Sequence, residues 1–321
     1  VIAVGAPSPL AGKTVFVAGH RGLVGSAIVR RLAREGCRVL TASRAELDLL
    51  RQADVEAWLQ RHRPQIMFIA AGKVGGILAN SVAPADFLYE NVMINANLLA
   101  AAHRIGCEKV VVLGSSCIYP REAPQPIPES ALLTGPLEPT NEGYAIAKIA
   151  AVKMAQAYAR QYGDPFVSLM PSNLYGPNDN FDLETSHVLP ALVRKFSDAR
   201  RLGAATVTVW GSGTPMREFL HADDLADACL FAARHCHGGE ILNVGSQEEL
   251  SIRALAELVA RITGFRGEIV YDRSMPDGTP RKKLDTSALA ALGWRARIPL
   301  AEGVQQLHEN WLQRAVAENA V

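Results

Sequence analysis

The chain has almost no net charge. Lys and Arg number 33 against 32 Asp and Glu in 321 residues, a formal +1, so it offers no broad field for nucleic acid or an anionic membrane. Any anionic ligand must be held by local groups. Cysteine is scarce. Cys37, Cys107, Cys117, Cys229 and Cys236 form no CxxC or zinc-type spacing and are odd in number, which argues against a metal centre and a complete disulfide framework, and for a reducing, cytoplasmic setting. No apolar run approaches the ~20 residues that span a bilayer. Residues 1–12, with Pro7, Pro9 and Gly12, lack the basic start and apolar core of a signal peptide and read as a tail. Hydrophobic residues at 49% and charged residues at 20% exclude a disordered chain.

What is present is an alternation of short β-rich runs with longer helical ones. Strands are expected at Thr14–Ala18, Arg38–Ala42, Ile66–Ile69, Lys109–Leu113 and Phe166–Met170, and helices at Leu23–Arg34, Val55–His62, Ala85–Arg104 and Asn141–Tyr162. Uniformly apolar strands separated by helices predict a doubly wound α/β fold, a parallel sheet covered on both faces. After Pro171 the rhythm gives way to a loop-rich stretch from Asn173 to Asp182. A βα unit from Phe219 to His237, a strand at Ile241–Val244 and helices near Ile252–Thr263 and Leu300–Ala317 follow, around a Pro-, Gly- and Arg-rich loop at Pro276–Lys283. The expected organisation is a dinucleotide-binding domain over 13–172 and about 219–247, with a smaller discontinuous substrate lobe over about 173–218 and 248–321.

The first strand runs into Gly19-His20-Arg21-Gly22-Leu23-Val24-Gly25 and then directly into a helix. Glycines at this spacing serve a tight turn, close approach of backbone to a pyrophosphate and helix–strand packing, while the helix start offers free N–H groups to the anion. Three glycines alone fit a merely structural turn as well. At the end of the second strand, where an NAD site places an acid, stands Ala42-Ser43-Arg44. Arg44 and Arg21 converging on a 2′-phosphate point to NADP(H), although Arg44 by itself fits a solvated surface residue, and Glu46 and Asp48 follow closely. Asp48 is expected near the adenine.

After the fourth strand comes Gly114-Ser115-Ser116-Cys117-Ile118-Tyr119-Pro120, and later Tyr144-Ala145-Ile146-Ala147-Lys148. Tyr144 and Lys148 share one helix face. An ammonium beside a phenol favours the phenolate and lowers its pKa from the usual ~10, which makes a proton donor or acceptor usable near neutrality. Such a pair also occurs on surfaces by chance. Cys117 alone reads as a small buried hydrophobe, and His187 as a hydrogen-bonded loop histidine.

Together these residues resemble the extended short-chain dehydrogenase/reductase family, and within it the GDP-L-fucose synthase family. The likeness runs from about Thr14 to Leu312 and includes Lys73-Val74-Gly75-Gly76-Ile77, Glu138-Pro139-Thr140-Asn141-Glu142, Asn173-Leu174-Tyr175-Gly176-Pro177, Trp210-Gly211-Ser212-Gly213-Thr214-Pro215-Met216-Arg217 and Pro276-Asp277-Gly278-Thr279-Pro280-Arg281. The resemblance implies conversion of GDP-4-keto-6-deoxy-D-mannose to GDP-L-fucose by inversion at C3 and C5 followed by NADPH-dependent reduction at C4. It implies Cys117 and His187 as the acid–base pair, Ser115 and Tyr144 at the reacting oxygen, and Lys148 on the nicotinamide ribose. Cofactor contacts are implied at Leu49, Ala70, Ala71, Leu113, Gly114, Ser116, Pro171, Ser172, Asn173, Leu174 and His187, besides the glycine turn, Arg44 and Asp48. Substrate contacts are implied at Lys195, Trp210, Arg217, Asp277 and Arg281, no metal is expected, and a homodimer is.

Three positions stand out against the pattern. Lys195 stands where an arginine is expected, which would turn a bidentate phosphate contact into a point charge. Gly72 replaces an expected alanine, and Gly143 occupies a position read as variable. A 4,6-dehydratase or 4-epimerase of the same fold is the competing enzyme, disfavoured because Ser116-Cys117 fill the place of the dehydratase acid and the arginines disfavour bound NAD. A non-catalytic binding module is the competing reading from another class, and it would have lost Tyr144 or Lys148.

Overall fold

Residues 10–318 are described by a computed structural model. In chain order the first part comprises β1 (Thr14–Ala18), α1 (Leu23–Leu32), β2 (Arg38–Leu40), α2 (Gln52–His62), β3 (Ile66–Ile69), α3 (Ile77–Val82), α4 (Pro84–Ile105), β4 (Lys109–Leu113), α5 (Glu142–Tyr162) and β5 (Phe166–Pro171). The later part comprises β6 (Asn173–Tyr175), α6 (Val188–Leu202), β7 (Thr206–Trp210), β8 (Met216–His221), α7 (Ala222–His235), β9 (Ile241–Val244), β10 (Glu249–Ser251), α8 (Ile252–Thr263), β11 (Glu268–Asp272), β12 (Arg281–Lys282), α9 (Ser287–Ala291) and α10 (Leu300–Glu318).

Six parallel strands form the central sheet in the order β2-β1-β3-β4-β5-β9. Side chains alternate along β1, so it feeds two cores at once. Val15 and Val17 pack with α1 and α7, while Phe16 and Ala18 pack with α2, α4 and α5. Covered on both faces, β3, β4 and β5 are buried at every residue, which is why their sequences are almost wholly apolar. The carboxyl ends of β1, β3, β4 and β5 therefore deliver Gly19, Ala70, Gly114 and Ser172 to one edge of the sheet. That is the edge where open α/β sheets bind ligands.

The later part builds a smaller assembly. β8 pairs with β10, β12 and β6, while β7 and β11 form a separate parallel pair. Helices α6, α8 and α10 close a third core around Phe196, Leu255 and Val304. The stretch expected as loop from Asn173 contains β6, and α6, β7 and β11 have no counterpart among the expected elements. Leu189, Leu192, Val193, Phe196 and Ala199, all buried, carry the helical spacing that marks α6. β2 ends at Leu40 and α1 at Leu32, two residues short of expectation in each case. Of the expected tail, residues 1–9 lie outside the described residues, while Leu10 is buried in the core beside Val15 and Leu32.

Candidate active site

The three glycines of the first turn do different things. Gly19 has φ +82°, and a Cβ there would stand 2.7 Å from the Ala71 backbone. A Cβ on Gly25 would stand 2.1 Å from the Gly19 carbonyl oxygen, so that glycine lets α1 pack on the turn. Gly22 is the N-cap of α1 and meets no protein atom closer than 3.5 Å. No side chain caps this helix and no acid occupies its first turn, so no side chain competes for its first N–H groups, the arrangement an anion needs. Arg21 and Arg44 are exposed at the neighbouring loop ends. Glu46 follows closely in sequence but turns back on Ser43, accepting from its N–H and Oγ at 2.7 Å each. These bonds, with help from Arg21 and His20, hold the Glu46 carboxyl below its usual pKa. His20 is held below its usual value by burial and then by Arg21. Asp48 accepts from Leu50 N–H, and the Leu49 carbonyl accepts from Asn97, so this loop is fixed to α4.

Lys148 is almost fully buried, and its Nζ donates to the Leu113 carbonyl at 2.8 Å while standing 5.8 Å from the Tyr144 ring centroid. Burial pulls its pKa down to about 8. The expected lowering of Tyr144 is not what the geometry gives. Burial first, then the Cys117 charge, push the phenol up, and the Ser115 hydroxyl works against them only in part. Desolvation outweighs an ammonium that is directed at a backbone carbonyl.

Cys117 follows the opposite logic. Ser115 caps a single 3-10 turn, Ser116–Ile118, and its Oγ accepts from Cys117 N–H at 3.2 Å. Lys282 Nζ and Asn141 Nδ2 each reach Cys117 Sγ at 3.3 Å. Burial alone would raise the thiol, but the Lys282 charge and the hydrogen bonds from Ser115, Lys282 and Asn141 bring it below its ordinary value. Neither Lys282 nor a role for Asn141 is apparent from the sequence. Arg281, which the resemblance does mark, is the neighbour of Lys282 in β12. Arg281 forms a two-pronged pair with Glu249 at 2.8 and 2.6 Å and makes no hydrogen bond to the thiol that Lys282 meets.

His187 is the N-cap of α6. Burial, then the Lys282 charge, hold its pKa below the usual histidine value. Its loop is seated on the glycine pair of the Lys73–Ile77 segment: Gly76 N–H donates to the Thr185 carbonyl at 3.1 Å, and a Cβ on Gly76 would stand 2.8 Å from the Ser186 carbonyl oxygen. Gly72 and Gly143 are also packing positions. A Cβ at each would stand 2.7 Å from Asn91 Oδ1 and 2.9 Å from the Pro84 carbonyl oxygen, respectively. A cleft of about 380 Å³ opens beside Tyr144, Asn141, Ser81 and Thr140.

Among the expected substrate residues, Lys195 lies 5.2 Å over the Trp210 ring and donates to the Thr208 carbonyl. Arg217 donates to the carbonyls of Met216 and Asp277, and Asp277 accepts from Ser212 N–H and Oγ at 2.7 and 2.8 Å. Glu138 joins the turn before α5 to the later loop through Thr279 at 3.4 Å. Ser172 N–H donates to the Val244 carbonyl, Asn173 Nδ2 donates to the Glu218 carbonyl, and Leu174 packs into the core below.

Residues 15–245, more than half of the chain, match the NAD dependent epimerase/dehydratase family. A GDP-L-fucose synthase of Sinorhizobium fredii is 53% identical over 310 residues, covering 97% of this chain and 98% of its own. GDP-L-fucose synthase 1 of Arabidopsis thaliana is 55% identical over 300 residues, covering 93% of each. A solved GDP-L-fucose synthetase from Naegleria fowleri bound to NADP superposes with a TM-score of 0.88 at 27% identity, over 98% of this chain and 99% of that one. The chain belongs to the NAD dependent epimerase/dehydratase family.

Proposed function

We propose that this protein converts GDP-4-keto-6-deoxy-D-mannose to GDP-L-fucose, inverting C3 and C5 and then reducing C4. The observation that carries the reading is the Cys117 sulfur held by Lys282 and Asn141, with its backbone N–H tied to Ser115, in the same site as the Tyr144–Lys148 pair. Relatives named for GDP-L-fucose synthesis at 53% and 55% identity support it. A 4-epimerase or dehydratase has no use for so prepared a thiol.

A ketone at C4 acidifies the hydrogens on both flanking carbons, because the electron pair left behind moves onto the carbonyl oxygen as an enolate. Cys117 and His187 act as the proton-transfer pair on the two ring faces. Ser115 and Tyr144 hold the reacting oxygen, and Tyr144 gives it a proton at the reduction. Its raised pKa suits a donor, since the hydroxyl stays protonated at neutral pH. Lys148, tied to the Leu113 carbonyl, takes the cofactor ribose. The open start of α1, Arg21 and Arg44 fit the diphosphate and 2′-phosphate of NADP(H), which when bound supplies the hydride. Glycine-turn residues Gly19 to Gly25, Asp48, Leu49, Ala70, Ala71, Leu113, Gly114, Ser116 and Pro171 to Leu174 line the same edge. Lys195, Trp210, Arg217, Asp277 and Arg281 take the GDP moiety, Arg281 from its pair with Glu249.

By this assignment residues 13–172 and about 219–247 hold the cofactor, and about 173–218 with 248–321 hold the sugar nucleotide. The five free cysteines favour a reducing cytoplasm. A homodimer would use the outward faces of α4 and α5, which expose Tyr89 and Ile146, because the alanine-rich segment through Ala101 and Ala102 is already buried within the chain. The deciding experiment is mass-resolved product analysis after incubation with NADPH and the ketosugar in D2O. Deuterium at C3 and C5 of a reduced product is expected, and reduction without exchange would overturn the epimerase half.

A further inference from the structure

Cys117 is reached by donors from two segments far from it in the chain, Asn141 and Lys282. Asn141 is the N-cap of α5, where an asparagine oxygen ordinarily accepts a helix N–H. Here it makes no capping bond, its Oδ1 is buried without a partner, and its amide is turned onto Sγ. Lys282 lies in β12, paired to β8 with Lys282 opposite Arg217. The backbone just beyond is pinned: Lys283 N–H donates to Gln125 at 2.9 Å, and Leu284 N–H donates to Glu218 at 3.2 Å, a carboxylate that is itself completely buried. Among the described residues the Lys282 ammonium has Sγ as its hydrogen-bond partner and no carboxylate. A lysine on a surface would be expected to face water or an acid.

We propose that Lys282 is a positioning residue for proton transfer at Cys117, its ammonium holding the sulfur as a thiolate with Asn141 as the second donor. The charged and titratable groups around the sulfur are Lys282, Arg217, Tyr144 and, through Lys282, His187, with Glu138 beyond Arg217. Lys282 and Arg217 favour the anion, and Tyr144 is neutral at physiological pH. The same ammonium disfavours a second cation on His187, so thiolate and neutral imidazole are favoured together. Cys37, Cys107, Cys229 and Cys236 lack such donors, and burial pushes each of their thiols up.

The inference rests on the reading that Cys117 carries protons, but its test needs no substrate. Iodoacetamide alkylation of the full chain is followed against pH, with the Cys117 peptide resolved by mass spectrometry, in the wild type, Lys282→Met, Lys282→Arg and Asn141→Ala. Lys282→Met should raise the Cys117 midpoint by about one pH unit or more, a roughly tenfold loss of thiolate below the midpoint. Lys282→Arg should restore most of it, Asn141→Ala should move it less in the same direction, and the other four cysteines should not respond. An unmoved midpoint in a Lys282→Met protein that melts like the wild type overturns the proposal. Should that variant fail to fold, Lys282→Gln keeps a donor without the charge, and an unmoved midpoint there overturns the proposal equally. A wild type that exchanges no deuterium at C3 or C5 overturns the proposed function instead and leaves the midpoint result standing.

Discussion

Two lysine–acid pairs sit in one site, and they are built in opposite ways. Lys148 and Tyr144 lie one helical turn apart, yet the ammonium is directed at the Leu113 carbonyl and burial governs both groups, lowering the lysine to about 8 and raising the phenol. Lys282 and Cys117 come from distant segments, yet the ammonium points at the sulfur and overrides burial. Proximity of an ammonium and an acid is therefore not sufficient for activation; where the N–H bonds point decides. The first pair keeps its hydroxyl protonated and fit to donate, while the second prepares an anion fit to accept.

If this division is right, two substitutions should separate the half-reactions. Tyr144→Phe keeps the ring, which stands edge-on to Phe87 at 6.5 Å, and loses only the hydroxyl. NADPH oxidation with the ketosugar should fall by roughly 10²–10⁴, and C3 and C5 exchange by less. Cys117→Ser replaces a thiolate by a far poorer base, so exchange should fall about a hundredfold or more, more than reduction does. Parallel measurements of absorbance at the NADPH band and of deuterium content would show the two rank orders crossing. Equal losses in both assays from either variant would erase the distinction between the pairs.

The same contrast explains what could be read from the sequence. Tyr144 and Lys148 are joined by helical periodicity, and the glycine turn by its place between a strand and a helix, so both were visible locally. The central strands were visible because burial on both faces leaves them almost wholly apolar. Lys282 reaches Cys117 only through the pairing of β12 with β8, and no local period encodes that. Asn141 stood as the first residue of an expected helix, and its failure to cap α5 is a matter of side-chain direction that the sequence does not carry. The wrong direction for Tyr144 has the same origin, because sequence gives the spacing of charges but not their desolvation. α6 differs: its amphipathic spacing was present, and it was obscured by the loop signals just before it.

The Lys148 side also makes a pH prediction about stability. Its folded pKa of about 8 lies below the ordinary lysine value of 10.5, so between those values the unfolded chain binds more protons than the folded one. Stability contributed by this site then rises with pH across that window, and below about pH 8 the full cost of burying the ammonium is present. Urea unfolding of wild type and Lys148→Met near pH 7 and near pH 10 should show the variant losing that rise, a difference on the order of 1–3 kcal/mol. Identical pH slopes in the two proteins would mean that the lysine is not desolvated as its burial implies.

The smallest effect belongs to Arg281, the neighbour of Lys282 on the same short strand. Its guanidinium pairs with Glu249 at a half-exposed position, where solvent screening leaves an ion pair little to contribute. Because its guanidinium is committed to Glu249 and makes no hydrogen bond to Cys117, Arg281→Ala should leave the alkylation midpoint of Cys117 in place and change the KM for the GDP-sugar less than Arg217→Ala does. The informative comparison is between adjacent residues of equal charge. If net positive potential near the sulfur were enough, removing either cation would raise the midpoint alike; if N–H direction decides, only Lys282 will.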